Sequence, residues 1–169
     1  MTRAVPHERI QVGVVVERRK ATSPWIDHVW MPVAVLAGEP EAEPWTVLGT
    51  EGDTTRFYAG SAEVGLYRTE TGNYRDNLVS GAPSLWVVLQ PTDSDPPYAL
   101  VAVTADPAEG EAYTEAGSNL VEMVPMPDAV HDLVAAFVTE HHVERQFFKR
   151  KRDRAASEPP RQPRGSADE

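Results

Sequence analysis

The sequence contains no cysteine, which excludes disulfide bonds, thiolate nucleophiles and cysteine-ligated zinc or iron–sulfur sites. Its 11 glycines are scattered, so neither a dinucleotide-binding fingerprint nor a phosphate-binding P-loop can be written at any position. The Gly-x-Ser-x-Gly and His-Glu-x-x-His patterns are also missing. No residue pattern identifies a chemical reaction. We therefore predict a protein that is not an enzyme and holds neither metal nor cofactor.

Long apolar runs are missing as well. The longest, Val14-Val15-Val16, is far too short to cross a bilayer. Residues 1–10 lack the apolar centre of a signal peptide. We expect a soluble, cytoplasmic protein without a membrane partner.

The charge is distributed unevenly along the chain. Residues 145–169 carry 8 Lys/Arg and 4 Asp/Glu, a net charge of +4, whereas residues 1–144 carry a net charge of −14. Nucleic-acid binding requires a broad basic surface, which this acidic body does not offer. The composition therefore predicts no nucleic-acid partner.

Alternating apolar residues predict about seven or eight short strands, followed by one long helix over residues 126–154. The predicted strands are residues 9–18, 31–36, 45–49, 54–58, 62–69, 84–90, 98–104 and 119–124. Residues 54–58 and 62–69 are predicted to form a hairpin, and the most apolar strands, 84–90 and 98–104, to lie centrally. Strands followed by a helix favour an α+β fold: a mainly antiparallel, twisted or barrel-like sheet packed by the helix. We predict a flexible segment 1–8, one domain over 9–154 and a disordered tail 155–169.

The end of the long helix is a candidate partner-binding surface. Two apolar residues lie there off the main apolar stripe, next to a run of cations. Either they form a docking surface, or the helix is buried on both faces. The residues of this surface are Val143, Phe147, Lys149, Arg150, Lys151, Arg152 and Arg154.

Two tryptophans and two arginines are candidate ligand-binding residues. Trp25 and Trp30 either pack at the core or stack on a ligand or partner. Arg56 and Arg75 are rare cations in an acidic body, and each either binds an anionic ligand or neutralises neighbouring carboxylates.

His141 lies on the apolar stripe of the predicted helix, where a hydrogen-bonded core role is the commoner outcome. The functional alternative pairs it with Glu144 or His28 in a metal or proton-transfer site.

Six segments of the sequence resemble an uncharacterised proteobacterial family, the domain of unknown function 3305. They are residues 13–19 (GVVVERR), 23–30 (SPWIDHVW), 74–78 (YRDNL), 83–87 (PSLWV), 121–127 (VEMVPMP) and 147–154 (FFKRKRDR). The resemblance covers roughly residues 9–154.

Members of that family are often encoded beside formate dehydrogenase and related molybdoenzyme genes, and some are labelled molybdopterin-guanine dinucleotide biosynthesis proteins. A guanylyltransferase resembles a nucleotidyltransferase with a glycine-rich loop after its first strand, and residues 17–24 contain no glycine. The resemblance therefore implies a non-enzymatic accessory or assembly protein, whose partner is a molybdoenzyme subunit or maturation factor. The alternative is a domain that binds a small ligand or a molybdopterin or nucleotide cofactor.

Charge reversal tests the helix-end surface. Replacing Lys149, Arg150 and Arg152 by Glu should abolish co-purification with the partner, because attraction across the interface becomes repulsion. Affinity pull-down measures the recovery, and circular dichroism confirms that the fold is intact. Unchanged recovery contradicts the surface.

Overall fold

The computed structural model describes residues 5–38 and 40–157, with side chains up to residue 142. The predicted flexible segment 1–8 and disordered tail 155–169 lie partly outside these residues. Seven strands and three α-helices are described: β1 (Glu8–Lys20), β2 (His28–Ala37), β3 (Thr46–Glu51), β4 (Thr54–Leu66), α1 (Thr71–Leu78), β5 (Ser84–Pro91), β6 (Tyr98–Thr104), α2 (Pro107–Glu115), β7 (Leu120–Pro125) and α3 (Asp128–Ser157).

The described strands form two antiparallel sheets, with the orders β2-β1-β4-β3 and β6-β5-β7. The α+β class is confirmed, but the strands form two sheets where one was predicted. β4 lies beside β6, and β2 beside β7, but among the described residues no ladder of hydrogen bonds joins the two sheets. Consequently β5 is central as predicted, whereas β6 is an edge strand of its own sheet.

One apolar core joins the two sheets. Val12, Val14 and Val16 of β1 are fully buried, and so are Leu85 and Val87 of β5. These residues alternate with others along each strand, so each sheet turns one apolar face toward the same core.

The predicted hairpin at residues 59–61 is wrong, because β4 continues through it as one strand. Gly60 has a φ of +135°, a region open to glycine. Val14 pairs with Gly60 and Val15 with Tyr58, so Ala59 is an extra residue opposite β1. The glycine signal therefore marks a β-bulge that bends the strand.

β3 is an outer strand of its sheet, and all six of its residues are exposed. Its pairing with β4 contains an irregularity between Val47 and Gly49. Val47 and Leu48 are both more than half exposed.

Helices α1 and α3 pack against each other at the end of the core where β1 begins. The ring of Tyr74 in α1 meets that of Phe137 in α3 edge-on, with centroids 6.1 Å apart. The Tyr74 hydroxyl accepts a hydrogen bond of 2.9 Å from the backbone N–H of Tyr67.

Asn77 joins α1 to the second sheet. Its buried side-chain amide donates to the carbonyl oxygens of Ser84 (2.8 Å) and Ala105 (2.9 Å). Its oxygen accepts from the N–H of Ser84 at 3.0 Å. One side chain thus satisfies three buried backbone groups.

Gly110 sets the distance between α2 and β5. A Cβ at this position would lie 2.4 Å from Cγ of Trp86, so the helix backbone contacts the indole directly. Gly72 in α1 offers a matched comparison, since a Cβ there meets nothing within 4 Å.

We expect Gly110→Ala to lower the free energy of unfolding by about 1–3 kcal/mol, because the methyl group overpacks the indole. Gly72→Ala should leave it unchanged or raise it by up to about 1 kcal/mol, since alanine favours helix. Urea denaturation measures both. Equal effects of the two substitutions contradict a contact that sets the packing distance.

Candidate functional site

Four aromatic rings gather at the end of the core opposite α1 and α3. Trp30 lies on β2, Phe57 on β4 and Tyr98 at the start of β6, while Trp45 immediately precedes β3. With Arg18 these residues form what we call the aromatic mouth. Phe57 is 5% exposed and forms its floor, and the other three rings are partly exposed.

The rings of the mouth meet at distances typical of aromatic pairs. Trp30 stacks on Phe57 with centroids 5.6 Å apart and an interplanar angle of 30°. Trp45 meets Trp30 edge-on at 6.1 Å and Phe57 at 5.8 Å. Tyr98, from the other sheet, lies 6.0 Å from Trp30.

Strand register explains why these side chains meet. Arg18 of β1 pairs with Trp30 of β2 and with Thr55 of β4, and Val16 pairs with Phe57. Directly paired residues point to the same face of a sheet, and so do residues two apart. Arg18, Trp30 and Phe57 therefore project toward the same end of the core.

The guanidinium of Arg18 covers the floor of the mouth. It lies 5.4 Å from the ring centroid of Phe57 and 5.8 Å from that of Trp30, within cation–π range. Its Nη2 donates a hydrogen bond of 3.4 Å to Oγ1 of Thr55. No carboxylate of the described residues lies within salt-bridge distance of this cation.

Trp45 has a backbone conformation that is rare for a tryptophan. Its φ is +67°, in the left-handed region, and its N–H donates to the carbonyl oxygen of Tyr58. Such a conformation costs on the order of 1–3 kcal/mol and persists only where surrounding contacts fix it. Here those contacts are the rings of Trp30 and Phe57.

The other face of the same sheet carries a separate ionic cluster. Glu17 is buried, and its two carboxylate oxygens each lie 3.1 Å from an arginine nitrogen, one on Arg19 and the other on Arg56. Arg56 therefore neutralises a carboxylate on the face away from the mouth, and it does not share a pocket with Trp30.

Three further candidates from the sequence lie outside the mouth. Trp25 is 88% exposed in the connection before β2. His28 is exposed at the first residue of β2, and Arg75 is exposed on α1 between the buried residues Tyr74 and Asn77. The structure thus brings Trp30 alone of the six predicted ligand-binding residues into the mouth.

His141 lies at the opposite end of the core from His28. It is buried among rings, with its centroid 4.5 Å from that of Phe137 and 4.6 Å from that of His7. Its Nε2 lies 3.8 Å from Oε1 of Glu140. His28 instead pairs with Lys20 at the far end of β1, so the two histidines do not form a common site.

The predicted partner-binding side chains lie outside the described residues: Val143, Phe147, Lys149, Arg150, Lys151, Arg152 and Arg154. The same holds for the side chain of Glu144. In the described part of the chain, no three His, Asp or Glu residues are positioned to hold a metal ion. None of the described helices is long and apolar enough to span a membrane.

Asp106 is a buried carboxyl at the start of α2. It caps the helix by accepting a 2.9 Å hydrogen bond from the N–H of Ala108, and the side-chain amide of Asn73 donates to it at 3.0 Å. Burial raises the pKa of Asp106 above its ordinary value, and nearby Glu70 adds to this increase. Hydrogen bonds from Ala108, Glu109 and Asn73 oppose the increase without cancelling it.

Because the pKa of Asp106 is higher in the folded chain, its ionisation favours unfolding. Its contribution to stability is complete below the pKa of the unfolded chain and is lost as the pH rises through the folded-state pKa. Asp106→Asn keeps the accepting oxygen and cannot ionise. We expect its free energy of unfolding to exceed that of the wild type at neutral pH and to converge with it in acid.

Denaturation over a pH series measures this difference. Asp106→Ala is the control, since loss of the cap should destabilise the chain by about 1 kcal/mol. A constant difference between Asp106→Asn and wild type across the series contradicts the raised pKa.

A family model described as "Protein of unknown function (DUF3305)" matches residues 11–152. Neither the curated proteins nor the solved structures gave a match. The matched residues run from β1 into α3 and include the whole aromatic mouth. The chain belongs to the DUF3305 family.

Proposed function

We propose that this chain is a non-enzymatic accessory or assembly protein of a molybdenum-dependent formate dehydrogenase system in the cytoplasm. It acts by binding a subunit or a maturation factor of that enzyme. The resemblance of its sequence to proteins encoded beside such genes supports the setting.

The observation that carries a binding role is the exposed turn before β2. Trp25 is 88% exposed and Ile26 54%, and Val29, the second residue of β2, is 46% exposed. Large apolar side chains placed together in solvent are typical of interaction surfaces, and tryptophan is prominent among residues that dominate binding energy.

This turn has a defined local structure. The N–H of Trp25 donates to Oγ of Ser23 at 3.1 Å, and the N–H of Ala21 donates to the carbonyl oxygen of Asp27 at 3.1 Å. Two hydrogen bonds therefore hold the connection that presents Trp25. A constrained connection lowers the entropy lost when the indole is immobilised by a partner.

The turn and the cationic helix end contribute two different kinds of free energy to the binding of the partner, one apolar and one electrostatic. Burial of Trp25 is an apolar contribution that salt does not screen. Attraction by Lys149 to Arg154 is electrostatic and weakens as the ionic strength rises.

Trp25→Ser should lower recovery of formate dehydrogenase subunits in a pull-down at least several-fold, at both low and moderate salt. Val79→Ser is the matched control, because Val79 is 67% exposed elsewhere, after α1. Mass spectrometry quantifies the recovered subunits, and melting temperatures verify the fold of both variants. If the wild-type chain recovers no formate dehydrogenase subunit or maturation factor, the proposed function is wrong. If Trp25→Ser and Val79→Ser behave alike, the turn is not the contact.

The aromatic mouth favours a second candidate function, the binding of a small ligand or of a molybdopterin or nucleotide cofactor. Its partly exposed rings come from both sheets, and aromatic side chains predominate in the lining of small-molecule sites.

A further inference from the structure

We infer that the aromatic mouth binds a planar aromatic ligand carrying an anionic group, with Arg18 as the anchor for that group. This inference rests on the second candidate function, whose ligand class and anchoring residue it names.

Arg18 has no carboxylate partner among the described residues. The chain places three arginines close together on β1 and β4, and two of them, Arg19 and Arg56, share the single carboxylate of Glu17. Arg18 is on the opposite face, where it lies against two aromatic rings and donates to one neutral hydroxyl. Within the described chain it is thus a partly buried cation whose charge no carboxylate balances.

The N–H donors of the Arg18 guanidinium suit an anionic ligand group. A guanidinium carries five N–H donors in one plane, and Thr55 accepts from one nitrogen only, at a long 3.4 Å. Phe57 and Trp30 both lie within cation–π range of this guanidinium. Carboxylate and phosphate are the groups whose geometry such a planar set of donors matches, often by two parallel hydrogen bonds.

The partly exposed rings beside Arg18 suit the planar part of the ligand. Trp30, Trp45 and Tyr98 are each partly exposed, so part of each side chain remains accessible to a ligand. Flat rings beside a cation offer stacking to a planar ring and pairing to its anionic substituent.

The backbone conformation of Trp45 is an independent observation that supports a binding site in the aromatic mouth. Among the described residues, Trp45 is the one residue other than glycine that has a positive φ. Strain of this kind concentrates at binding and catalytic sites, where it orients a side chain. Here it turns the indole of Trp45 onto the rings of Trp30 and Phe57.

A nucleotide and its nucleoside separate the contributions of ring and anion. Tryptophan fluorescence is titrated with guanosine monophosphate, guanosine and inorganic phosphate, in full-length chain carrying Trp25→Phe to remove the exposed indole. We expect saturable quenching by guanosine monophosphate, with affinity at least about tenfold higher than for guanosine.

Arg18→Gln and Arg19→Gln form the matched pair, because the two arginines are adjacent on β1 and face opposite sides of the sheet. Arg18→Gln should remove the preference for the monophosphate over guanosine, while Arg19→Gln should retain it. Circular dichroism and melting temperatures show whether both variants fold. Trp45→Leu, made in the same Trp25→Phe background with Arg18 intact, should weaken the binding of guanosine and of its monophosphate by the same factor. It removes a stacking ring and leaves the cation in place.

The outcomes separate the ligand class from the ligand-binding function. Equal affinity for guanosine and its monophosphate, unchanged by Arg18→Gln, overturns the role of Arg18 and leaves small-ligand binding standing. Equal losses in Arg18→Gln and Arg19→Gln also overturn it, since they indicate a general effect of charge. If none of the three probes quenches at millimolar concentration, the inference is wrong.

Discussion

The long ladder between β1 and β4 positions both ends of the molecule. Each strand has 13 residues, and their pairing runs from Glu8 opposite Leu66 to Arg19 opposite Thr54. One end of the ladder meets the packed helices α1 and α3, and the other carries the aromatic mouth. The bulge at Ala59 and Gly60 lies between them, so this irregularity sets which residues of β1 and β4 face each other at the mouth.

This ladder also sorts three consecutive charged residues. Glu17 and Arg19 point to one face, where they join Arg56 in an ion-pair cluster. Arg18 points to the other face, where it lies against rings. Neighbours in sequence therefore have unrelated electrostatic surroundings, because each step along a strand reverses the direction of the side chain.

Much of the local structure could be predicted from the sequence, since alternation along a strand is a local signal. Residues 98–104 were predicted as a strand and form β6 with the same bounds. The hairpin at residues 59–61 failed because a glycine can make either a turn or a bulge, and only the partner strand decides between them. The family assignment from short segments is confirmed over residues 11–152.

The candidate site was much less predictable. Trp30 was recognised, but Arg18, Trp45, Phe57 and Tyr98 come from four other places in the chain and meet only after two sheets have packed. Alternation along β4 indicates that Arg56 and Phe57, which are adjacent in sequence, point to opposite faces of the sheet. Which of the two faces the core is known only once the strands that pair with β4 are known. The buried carboxyl of Asp106 gave one usable signal: an Asp directly before Pro107 is a typical helix start.

The exposed strand β3 has a consequence for self-association. An outer strand with unpaired backbone groups and two exposed aliphatic residues is a template on which another chain can add, and the first step of amyloid-like stacking is of this kind. The irregularity between Val47 and Gly49 interrupts the even spacing of donors and acceptors that such addition requires. An irregularity of this kind is one of the means by which edge strands resist the addition of further strands.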